Sequence, residues 1–512
     1  MHAVTLGSDS PLTPHQVVAV AREGAKVELG DDARGAVARC REALERTLDD
    51  GKPHYGINTG FGSLANRRID RADLATLQRN LIRSHAAGVG VPLAEDVVRG
   101  MMVVLAASLA RGRSGVRVEL VERIAGLLNA GVTPVVPESG SVGASGDLAP
   151  LAHVSLVLIG EGEAFYKGKR MAGGEALRSA GIEPIELEAK EGLALINGTH
   201  LMCARMALIC EDLRRVFESA LHACAMSIDG SRASHGYLDA RIYEVRNQPG
   251  PKRVAAALRG LLAGGTIVDS HKENDPRVQD PYSFRCATLV LGAALDQFEA
   301  AEARLRDELG AVSDNPLIFD EGGQTDIVSA GCFHGMTVAL PLDTLAILTA
   351  HVAGISERRV YHMLSVFDPQ SELRAFLSPK PGLQSGLMIV QYAAAAMCNE
   401  MIGLANPASV ANISTCAGME DYNSFGPRSA AKAARAVDLC RSVVAIELLC
   451  SAEAVEAHRP YRSGDIVERT IATIRERVPA LTEDRSPTPD IAAIEDLIRS
   501  GRFGARIWED PG

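Results

Sequence analysis

The sequence predicts a mainly α-helical protein built on a bundle of long helices, with a smaller mixed α/β lobe at its N-terminus. Alanine and leucine are abundant, and aromatic residues make up only 4% of the chain. Three long stretches, 287–309, 335–364 and 430–457, carry apolar residues at three- and four-residue spacing. This spacing places the apolar side chains on one face of a helix. Long apolar helices with short connections are typical of a buried bundle.

The order of these patterns predicts two lobes. Residues 1–200 form the mixed lobe and residues 201–512 form the long-helix lobe. Pro341 is expected to kink the helix over 335–364, and the run 255–265 reads as a helix that ends at Gly264 and Gly265. Strand patterns are few, at 132–136, 164–167 and 327–328.

Composition excludes several classes of protein. The 512 residues, 46% of them hydrophobic, are long enough for a large core. A net charge of −11 argues against nucleic acid, because clustered Lys and Arg carry such binding and runs such as Arg111-Gly112-Arg113 are short. The first ten residues show no signal peptide. No membrane span is expected, since apolar windows such as 101–110 are about half the roughly 20 residues required.

The ten cysteines show neither a C-x-x-C pair nor disulfide-like clustering. In a chain of this length they read as reduced, mostly buried small apolar residues, which predicts a cytoplasmic protein. The same spacing predicts no metal site.

The most informative motif is the run Gly-Ser-Val-Gly-Ala-Ser-Gly-Asp-Leu-Ala-Pro at 140–150. Its Ala144-Ser145-Gly146 core can close on itself: attack of the Gly146 nitrogen on the Ala144 carbonyl, with loss of two waters, gives 4-methylidene-imidazol-5-one. The bend needs permissive positions, which Gly140, Gly143 and Gly146 supply. A phosphate loop would need Gly-Lys-Ser/Thr, and Asp147 follows Gly146 instead. Alone, the tripeptide could equally be a flexible loop.

The whole run resembles the prosthetic-group loop of the aromatic amino acid ammonia-lyases and aminomutases. Further stretches match that family in order along the chain. They are Tyr55-Gly56-Ile57-Asn58-Thr59-Gly60-Phe61-Gly62, Asn197-Gly198-Thr199, Gln279-Asp280-Pro281-Tyr282-Ser283-Phe284-Arg285-Cys286, Ser313-Asp314-Asn315-Pro316, Ser356-Glu357-Arg358-Arg359, Ser385-Gly386-Leu387-Met388 and Glu420-Asp421.

The resemblance implies the long-helix fold of the ammonia-lyase/aspartase-like superfamily and a homotetramer whose active sites are each shared between chains. It also implies a small amino acid substrate and a carbon–nitrogen lyase reaction. The electrophile would be the ring made from residues 144–146, with no dissociable cofactor. Ammonia leaves and a base removes the β-proton, so the product is an α,β-unsaturated acid.

The resemblance also implies roles for individual residues. Tyr55 is the base, with a pKa lowered toward neutral; without the motif it reads as a loop aromatic.

Tyr282 lies against the prosthetic group. Arg285, on the same helical face as Tyr282, suits the substrate carboxylate, although a surface salt bridge is the plain alternative. Asn197 would bind the substrate amine or the ring carbonyl, or else form a turn before Gly198. Gln279 and Phe333 are further expected substrate contacts.

Substrate choice depends on fewer residues. Ser84-His85 and Glu420 resemble the histidine-specific branch, because a carboxylate can accept an imidazole N–H and would be wasted against a phenyl ring. His85 could instead be a core histidine, and Glu420 could instead be a solvated charge on a helix. L-Histidine, giving trans-urocanate and ammonia, is therefore the favoured reaction.

The chain departs from the usual histidine pattern at four places: His200, Ala287-Thr288-Leu289, Cys332 and Tyr422. Three alternatives therefore stay open. They are a 2,3-aminomutase, a tyrosine or phenylalanine ammonia-lyase, and, from another class, a catalytically silent binding homologue.

Overall fold

The computed structural model describes residues 3–48, 50, 52–62, 66–273, 275, 277–365, 371–505 and 507–508. It confirms the mainly α-helical class. In chain order the α-helices are α1 Pro14–Arg22, α2 Asp31–Thr47, α3 Leu74–His85, α4 Glu95–Ala110, α5 Val118–Ala130, α6 Leu148–Leu158, α7 Gly173–Ala180, α8 Glu191–Ile196, α9 His200–Gly230, α10 Ala240–Arg246, α11 Pro249–Leu262, α12 Tyr282–Arg285, α13 Ala287–Leu309, α14 Met336–Leu364, α15 Met388–Leu404, α16 Gly426–Glu456, α17 Asp465–Arg475 and α18 Thr488–Arg499.

The strands are short and form small sheets. They are β1 Val4–Leu6, β2 Val27–Leu29, β3 Val89–Pro92, β4 Thr133–Pro134, β5 Pro137–Ser139, β6 Glu163–Tyr166, β7 Lys169–Ala172, β8 Leu317–Glu321 and β9 Gln324–Val328. The pair β1–β2 is parallel, while β3–β5, β4–β6, β6–β7 and β8–β9 are antiparallel. Single-turn 3-10 helices occur at Arg71–Asp73, Gly236–Leu238, Val268–His271, Ala375–Leu377 and Cys416–Gly418.

The chain forms two compact units, and each is discontinuous in sequence. The first comprises 1–211, 302–343 and 407–431, and the second comprises 212–301, 344–406 and 432–512. This division differs from the predicted lobes 1–200 and 201–512, because two later segments return to the first unit. Four of the boundaries fall inside long helices (α9, α13, α14 and α16), where neither composition nor turn residues signal a change of unit. The fifth falls at Asn406-Pro407, just after α15.

In the first unit, α4 is almost wholly apolar and is buried from Val98 to Ala110 apart from Arg99 and Ala107. Close packing requires a small residue at Gly100, where an added Cβ would lie 3.2 Å from the Cβ of Ala204. The same unit buries an ion pair, with Lys190 Nζ 2.6 Å from an Asp314 carboxylate oxygen. Partnering both charges offsets their desolvation.

The second unit holds a larger buried polar cluster around Glu447. Its carboxylate receives Arg359 Nη2 at 2.9 Å, Ser227 Oγ at 2.7 Å and Ser356 Oγ at 2.5 Å. Neither charged side chain is exposed. Three helices, α9, α14 and α16, are therefore tied together by one satisfied carboxylate inside an apolar unit.

Most predicted elements match the structure. The stretch 287–309 is α13, 335–364 begins one residue later as α14 and includes Pro341, and 430–457 is α16 with four more residues at its start. Residues 255–262 of the run 255–265 belong to α11. The helix ends at Leu262, before Gly264 at φ +81°. Each of the three predicted strand regions contains a strand, but β1, β2, β3, β5, β7 and β8 were not predicted, since strands of two to five residues show little periodicity.

One apolar helix is longer than the sequence analysis allowed for. By length and composition α14 could cross a membrane, but 61% of its most apolar window is buried inside the protein. A core helix of a globular protein can have the same length and composition. All ten cysteines lie in the described residues and are free thiols.

Candidate active site

The run 140–150 connects β5 to α6 and is shaped by glycine. Gly143 and Gly146 have φ of +67° and +77°, in the left-handed region that side chains disfavour. An added Cβ at Gly143 would lie 2.2 Å from Ser424 Oγ, and that hydroxyl donates a 3.0 Å hydrogen bond to the Gly143 carbonyl. The first half of the loop is therefore held against the segment that follows Glu420.

The second half of the loop is paired with the chain just before α9. Gly146 and Gly198 form a parallel bridge, in which the Asp147 N–H donates to the Gly198 carbonyl at 2.8 Å and the Gly198 N–H donates to the Ser145 carbonyl at 3.3 Å. A Cβ at Gly146 would lie 2.1 Å from the Gly198 oxygen. Only glycine allows this approach, so the backbone around Ser145 is confined on both sides.

Asp147 fixes the start of α9. Its fully buried carboxylate accepts the backbone N–H of Leu201 at 2.9 Å and of Met202 at 3.2 Å. Burial raises the pKa of Asp147 to about 7, against the opposing effect of these bonds. The carboxylate therefore locks the loop to the helix that follows Asn197, as an acidic group at a helix N-terminus does.

The serine of the tripeptide faces a carboxylate. Ser145 Oγ donates to Glu420 Oε1 at 3.2 Å, and Thr415 Oγ1 donates to Glu420 Oε2 at 2.8 Å. Thr415 and Glu420 also exchange backbone hydrogen bonds across a tight turn. Glu420 is thus aimed at Ser145 by its own loop, so the solvated-charge alternative for Glu420 is wrong.

Tyr55 lies near the same carboxylate. Its hydroxyl accepts the Gly62 N–H at 3.3 Å, and its side chain is partly buried. Burial raises the pKa of Tyr55 above its ordinary value, and the charges of Glu420 and Cys416 raise it further against the Gly62 hydrogen bond. In the single chain the pKa of Tyr55 is therefore raised and not lowered toward neutral, because no nearby cation opposes the burial within the described residues.

His85 is the last residue of α3, and the charge of Glu420 acts on its imidazole. Its Nδ1 is 2.9 Å from the Leu81 carbonyl and 3.1 Å from Ser84 Oγ. The geometry to the carbonyl requires a proton on Nδ1, which leaves Nε2 free as an acceptor. Burial lowers the pKa of His85, and Glu420 partly opposes that shift. Tyr55, His85, Ser145 and Glu420 are therefore gathered in one place.

Two buried side chains beside Gly198 keep unpaired polar atoms within the described structure. Asn197 Oδ1 has no hydrogen-bond partner, and neither ring nitrogen of His200 has one. Burial lowers the pKa of His200 to about 3, so this imidazole is neutral. Buried polar atoms of native proteins are nearly always satisfied. An acceptor such as Asn197 Oδ1 therefore suits a donor bound at this loop, such as a substrate amine. The closed ring offers only acceptors, so its fit to the site rests on the glycine cradle.

The remaining predicted contacts lie elsewhere. Phe333 is half-buried in the first unit, in the turn before α14. Gln279, Tyr282 and Arg285 belong to the second unit. Gln279 and Tyr282 are exposed, and the Arg285 guanidinium lies 4.5 Å from the Tyr282 ring centroid, as their shared helical face predicts. Arg285 Nε also donates to the Asp280 backbone carbonyl at 3.0 Å, which is a hydrogen bond and not the surface salt bridge of the plain alternative.

The sequence analysis missed the residues that orient the predicted ones. Thr415 positions Glu420, and Ser424 holds Gly143. His334 and Tyr422 stack with ring centroids 6.3 Å apart, and a ring nitrogen of His334 meets the Tyr422 carbonyl at 3.0 Å. Tyr422 was noted in the sequence only as a departure from the usual histidine pattern. Thr415 and Ser424 are ordinary polar residues whose neighbours become visible only in the fold.

The chain is similar to known proteins over nearly its whole length. Residues 12–476 match the family model described as aromatic amino acid lyase. A histidine ammonia-lyase of Anaeromyxobacter sp. (strain K) is 47% identical over 498 residues, covering 96% of this chain and 97% of that protein. The crystal structure of histidine ammonia-lyase from Trypanosoma cruzi has a TM-score of 0.90 at 38% identity, covering 98% of this chain and 94% of that one. The tyrosine aminomutase of Streptomyces globisporus has a TM-score of 0.91 at 33% identity, covering 98% and 97%.

Gly143→Ala should prevent the loop from closing its ring. The new Cβ would collide with Ser424 Oγ, and a side chain in the left-handed region costs roughly 1–2 kcal/mol. We expect the intact mass of the purified variant to keep the two waters that ring formation removes. The near-ultraviolet absorbance of this variant should also be lower than that of the wild-type protein.

The matched control is Gly126→Ala, in α5, where an added Cβ meets nothing within 4 Å. This variant should show the full loss of two waters. Complete ring formation in Gly143→Ala would show that the loop does not depend on this close approach.

Proposed function

We propose, on the premise that this chain belongs to the aromatic amino acid lyase family, that it removes ammonia from L-histidine and gives trans-urocanate. The observation that carries the substrate is the Glu420 carboxylate, 3.2 Å from Ser145 Oγ. A carboxylate beside the reacting group suits a ring that offers an N–H. The names of the relatives at 47% and 38% identity support the same substrate.

The prosthetic group would be formed from Ala144, Ser145 and Gly146. When formed, it supplies an electrophilic carbon that makes ammonia a better leaving group. The chain holds the tripeptide through the Gly198 bridge on one side and through Ser424 on the other. Asn197 Oδ1 is placed to accept a hydrogen bond from the substrate amine or from the loop.

Tyr55 takes the β-proton in this proposal. Its hydroxyl lies beside the Gly62 N–H, which stabilises a phenolate by hydrogen bonding. Glu420 accepts the imidazole N–H, and His85 lies in the field of the same carboxylate, where its Nε2 can contact the ring. Phe333 covers the apolar side. The chain thus separates the base from the group that orients the ring.

Gln279, Tyr282 and Arg285 would enter the site from a neighbouring copy in a homotetramer. Arg285 binds the substrate carboxylate with its planar fork, and Tyr282 lies against the prosthetic group. Tyr282 is 69% exposed in the single chain. The largely apolar helix α15 buries only Val390, Ala394 and Met401, and it leaves Ile389, Tyr392 and Ile402 exposed. Such apolar exposure supports burial against other copies.

The cellular compartment is proposed from the thiols. All ten cysteines are free, and six of them are buried. A reducing compartment keeps thiols in this state, so we infer a cytoplasmic enzyme.

Incubation with histidine, tyrosine and phenylalanine in separate reactions tests the function. We expect urocanate and ammonia from histidine, and no β-amino acid. Ser145→Ala is the control, because alanine has no hydroxyl to lose and cannot supply the methylidene carbon. It should keep the fold and lose turnover.

Accumulation of a β-amino acid would identify an aminomutase, and turnover of tyrosine or phenylalanine alone would identify another lyase. No turnover of any of the three would favour a binding homologue. Wild-type activity in Ser145→Ala would rule out the mechanism.

Tyr55→Phe should lower kcat by at least ~10²-fold, the typical effect of losing a general base, and should change KM little. Because the pKa of Tyr55 is raised, the phenol is protonated at neutral pH and its basic form becomes more abundant as pH increases. Activity should therefore increase with pH and fall on acidification. Steady-state kinetics across pH measure both effects.

Tyr166→Phe is the control for Tyr55, since its hydroxyl donates an exposed 3.3 Å hydrogen bond to the Ser179 carbonyl in α7 and has no proposed role in the reaction. It should leave kcat unchanged. If Tyr55→Phe weakens binding and spares kcat, Tyr55 positions the substrate and does not take the proton.

Glu420→Gln should weaken histidine turnover selectively. The variant keeps the shape and removes the charge, which weakens a charge-assisted hydrogen bond of roughly 1.5–3 kcal/mol. That loss corresponds to ~10- to 150-fold in kcat/KM for histidine. Residual turnover of phenylalanine, whose ring offers no N–H, should change much less.

The intact mass of Glu420→Gln must be measured as well, because Ser145 Oγ donates to this carboxylate. If ring formation is complete and both substrates lose activity equally, Glu420 serves the shared elimination chemistry and not ring recognition.

A further inference from the structure

The loop that follows His85 makes a tight turn before β3. The Ala87 N–H donates to the His85 carbonyl at 2.8 Å, which reverses the chain within three residues. The His85 ring is held within α3 by Leu81 and Ser84, and the turn joins the end of that helix to Gly88. Where Gly88 is held therefore sets where the end of α3 that carries His85 lies.

Gly88 is held between the two ends of the prosthetic-group loop. Before that loop, an added Cβ at Gly88 would lie 3.1 Å from the Cβ of Pro137, and an added Cβ at Gly140 would lie 2.9 Å from the Gly88 Cα. The neighbouring Val89 pairs with Ser139 across β3 and β5. Gly88 thus touches the chain on which the loop begins.

After the loop, α6 supplies the second contact. The Gly88 N–H is 3.1 Å from His153 Nε2, in the middle of that helix. A backbone N–H can only donate, so Nε2 accepts and the ring proton lies on Nδ1. Burial lowers the pKa of His153, which keeps the imidazole in the neutral form that this bond requires.

We propose that His153 is a positioning residue for substrate recognition: its hydrogen bond from Gly88 fixes the turn that carries His85 against the prosthetic-group loop. The inference rests on the proposed reaction with histidine. His153 would act through His85 and would not touch the substrate. Its loss should therefore alter binding of the imidazole ring more than the elimination step.

Two substitutions separate the hydrogen bond from simple packing. His153→Leu keeps an apolar side chain in α6 and removes the acceptor. His153→Gln can place an amide oxygen near the position of Nε2 and restore it. Ser155→Ala is the matched control, because the Ser155 hydroxyl bonds only to Leu151 within α6, at 2.8 Å.

His153→Leu should raise KM for histidine by ~3- to 10-fold, as expected for one lost hydrogen bond, and should leave kcat within about twofold of wild type. His153→Gln should recover most of that loss, and Ser155→Ala should behave as wild type. The intact mass of His153→Leu should still show the loss of two waters.

Hydrogen exchange at the Gly88 amide gives a readout that needs no substrate. The amide should exchange faster in His153→Leu than in wild type, His153→Gln or Ser155→Ala. If exchange accelerates and KM does not change, the bond exists but has no role in recognition, and the inference is wrong.

A fall in kcat together with a missing mass loss in His153→Leu would also overturn the inference, since His153 would then serve formation of the loop. If the wild-type enzyme does not use histidine, the proposed function fails. In that case the exchange experiment still decides whether His153 holds Gly88.

Discussion

The close pairing of Gly146 with Gly198 is the constraint on which the rest of the site depends. It leaves no room for a Cβ at Gly146, 2.1 Å from the Gly198 oxygen, and it ties the tripeptide to the start of α9. Asp147 completes the connection by accepting two N–H groups from the first turn of that helix. A 31-residue helix thus acts as the support of a short loop. The loop is therefore confined before any chemistry takes place, which is what a backbone cyclisation requires.

The electrostatics of the first unit centre on one carboxylate. Glu420 receives hydrogen bonds from Ser145 and Thr415, and its charge raises the pKa of both Tyr55 and His85. The two effects have different consequences. A higher pKa keeps the Tyr55 phenol protonated and lowers the fraction of phenolate that can accept a proton. For His85, the charge of Glu420 only partly offsets the lowering of the pKa caused by burial. In the proposed reaction, the carboxylate that would recognise the ring therefore disfavours the phenolate of the residue that would remove the proton.

The sequence was sufficient for the fold class, the long helices and the loop, because each leaves a local signature: apolar periodicity in 287–309, or the glycines of 140–150. It was insufficient where a property depends on distant neighbours. The discontinuous units were missed because their boundaries fall mostly inside uniform helices. Thr415 and Ser424 carry no signal of their own, since their roles arise from Glu420 and Gly143. The direction of the Tyr55 pKa in the single chain could not be predicted, because burial and a neighbouring carboxylate cannot be read from a motif.

The raised pKa of Tyr55 also bears on why the proposed enzyme would need several copies of the chain. Within the described first unit, the charged neighbours that act on Tyr55 are acidic, and one backbone N–H opposes them. A cation brought close to the phenol would favour the phenolate and lower this pKa. Arg285 is such a cation, lies in the second unit, and stacks on the exposed Tyr282. If a neighbouring copy brings these two residues to the site, Arg285 pairs with the substrate carboxylate. Its positive charge then also acts on Tyr55, which has no cation beside it in the described single chain. Oligomer formation and the fraction of Tyr55 in its phenolate form would then be one coupled property, and a monomer would hold the prosthetic loop yet remain a poor catalyst.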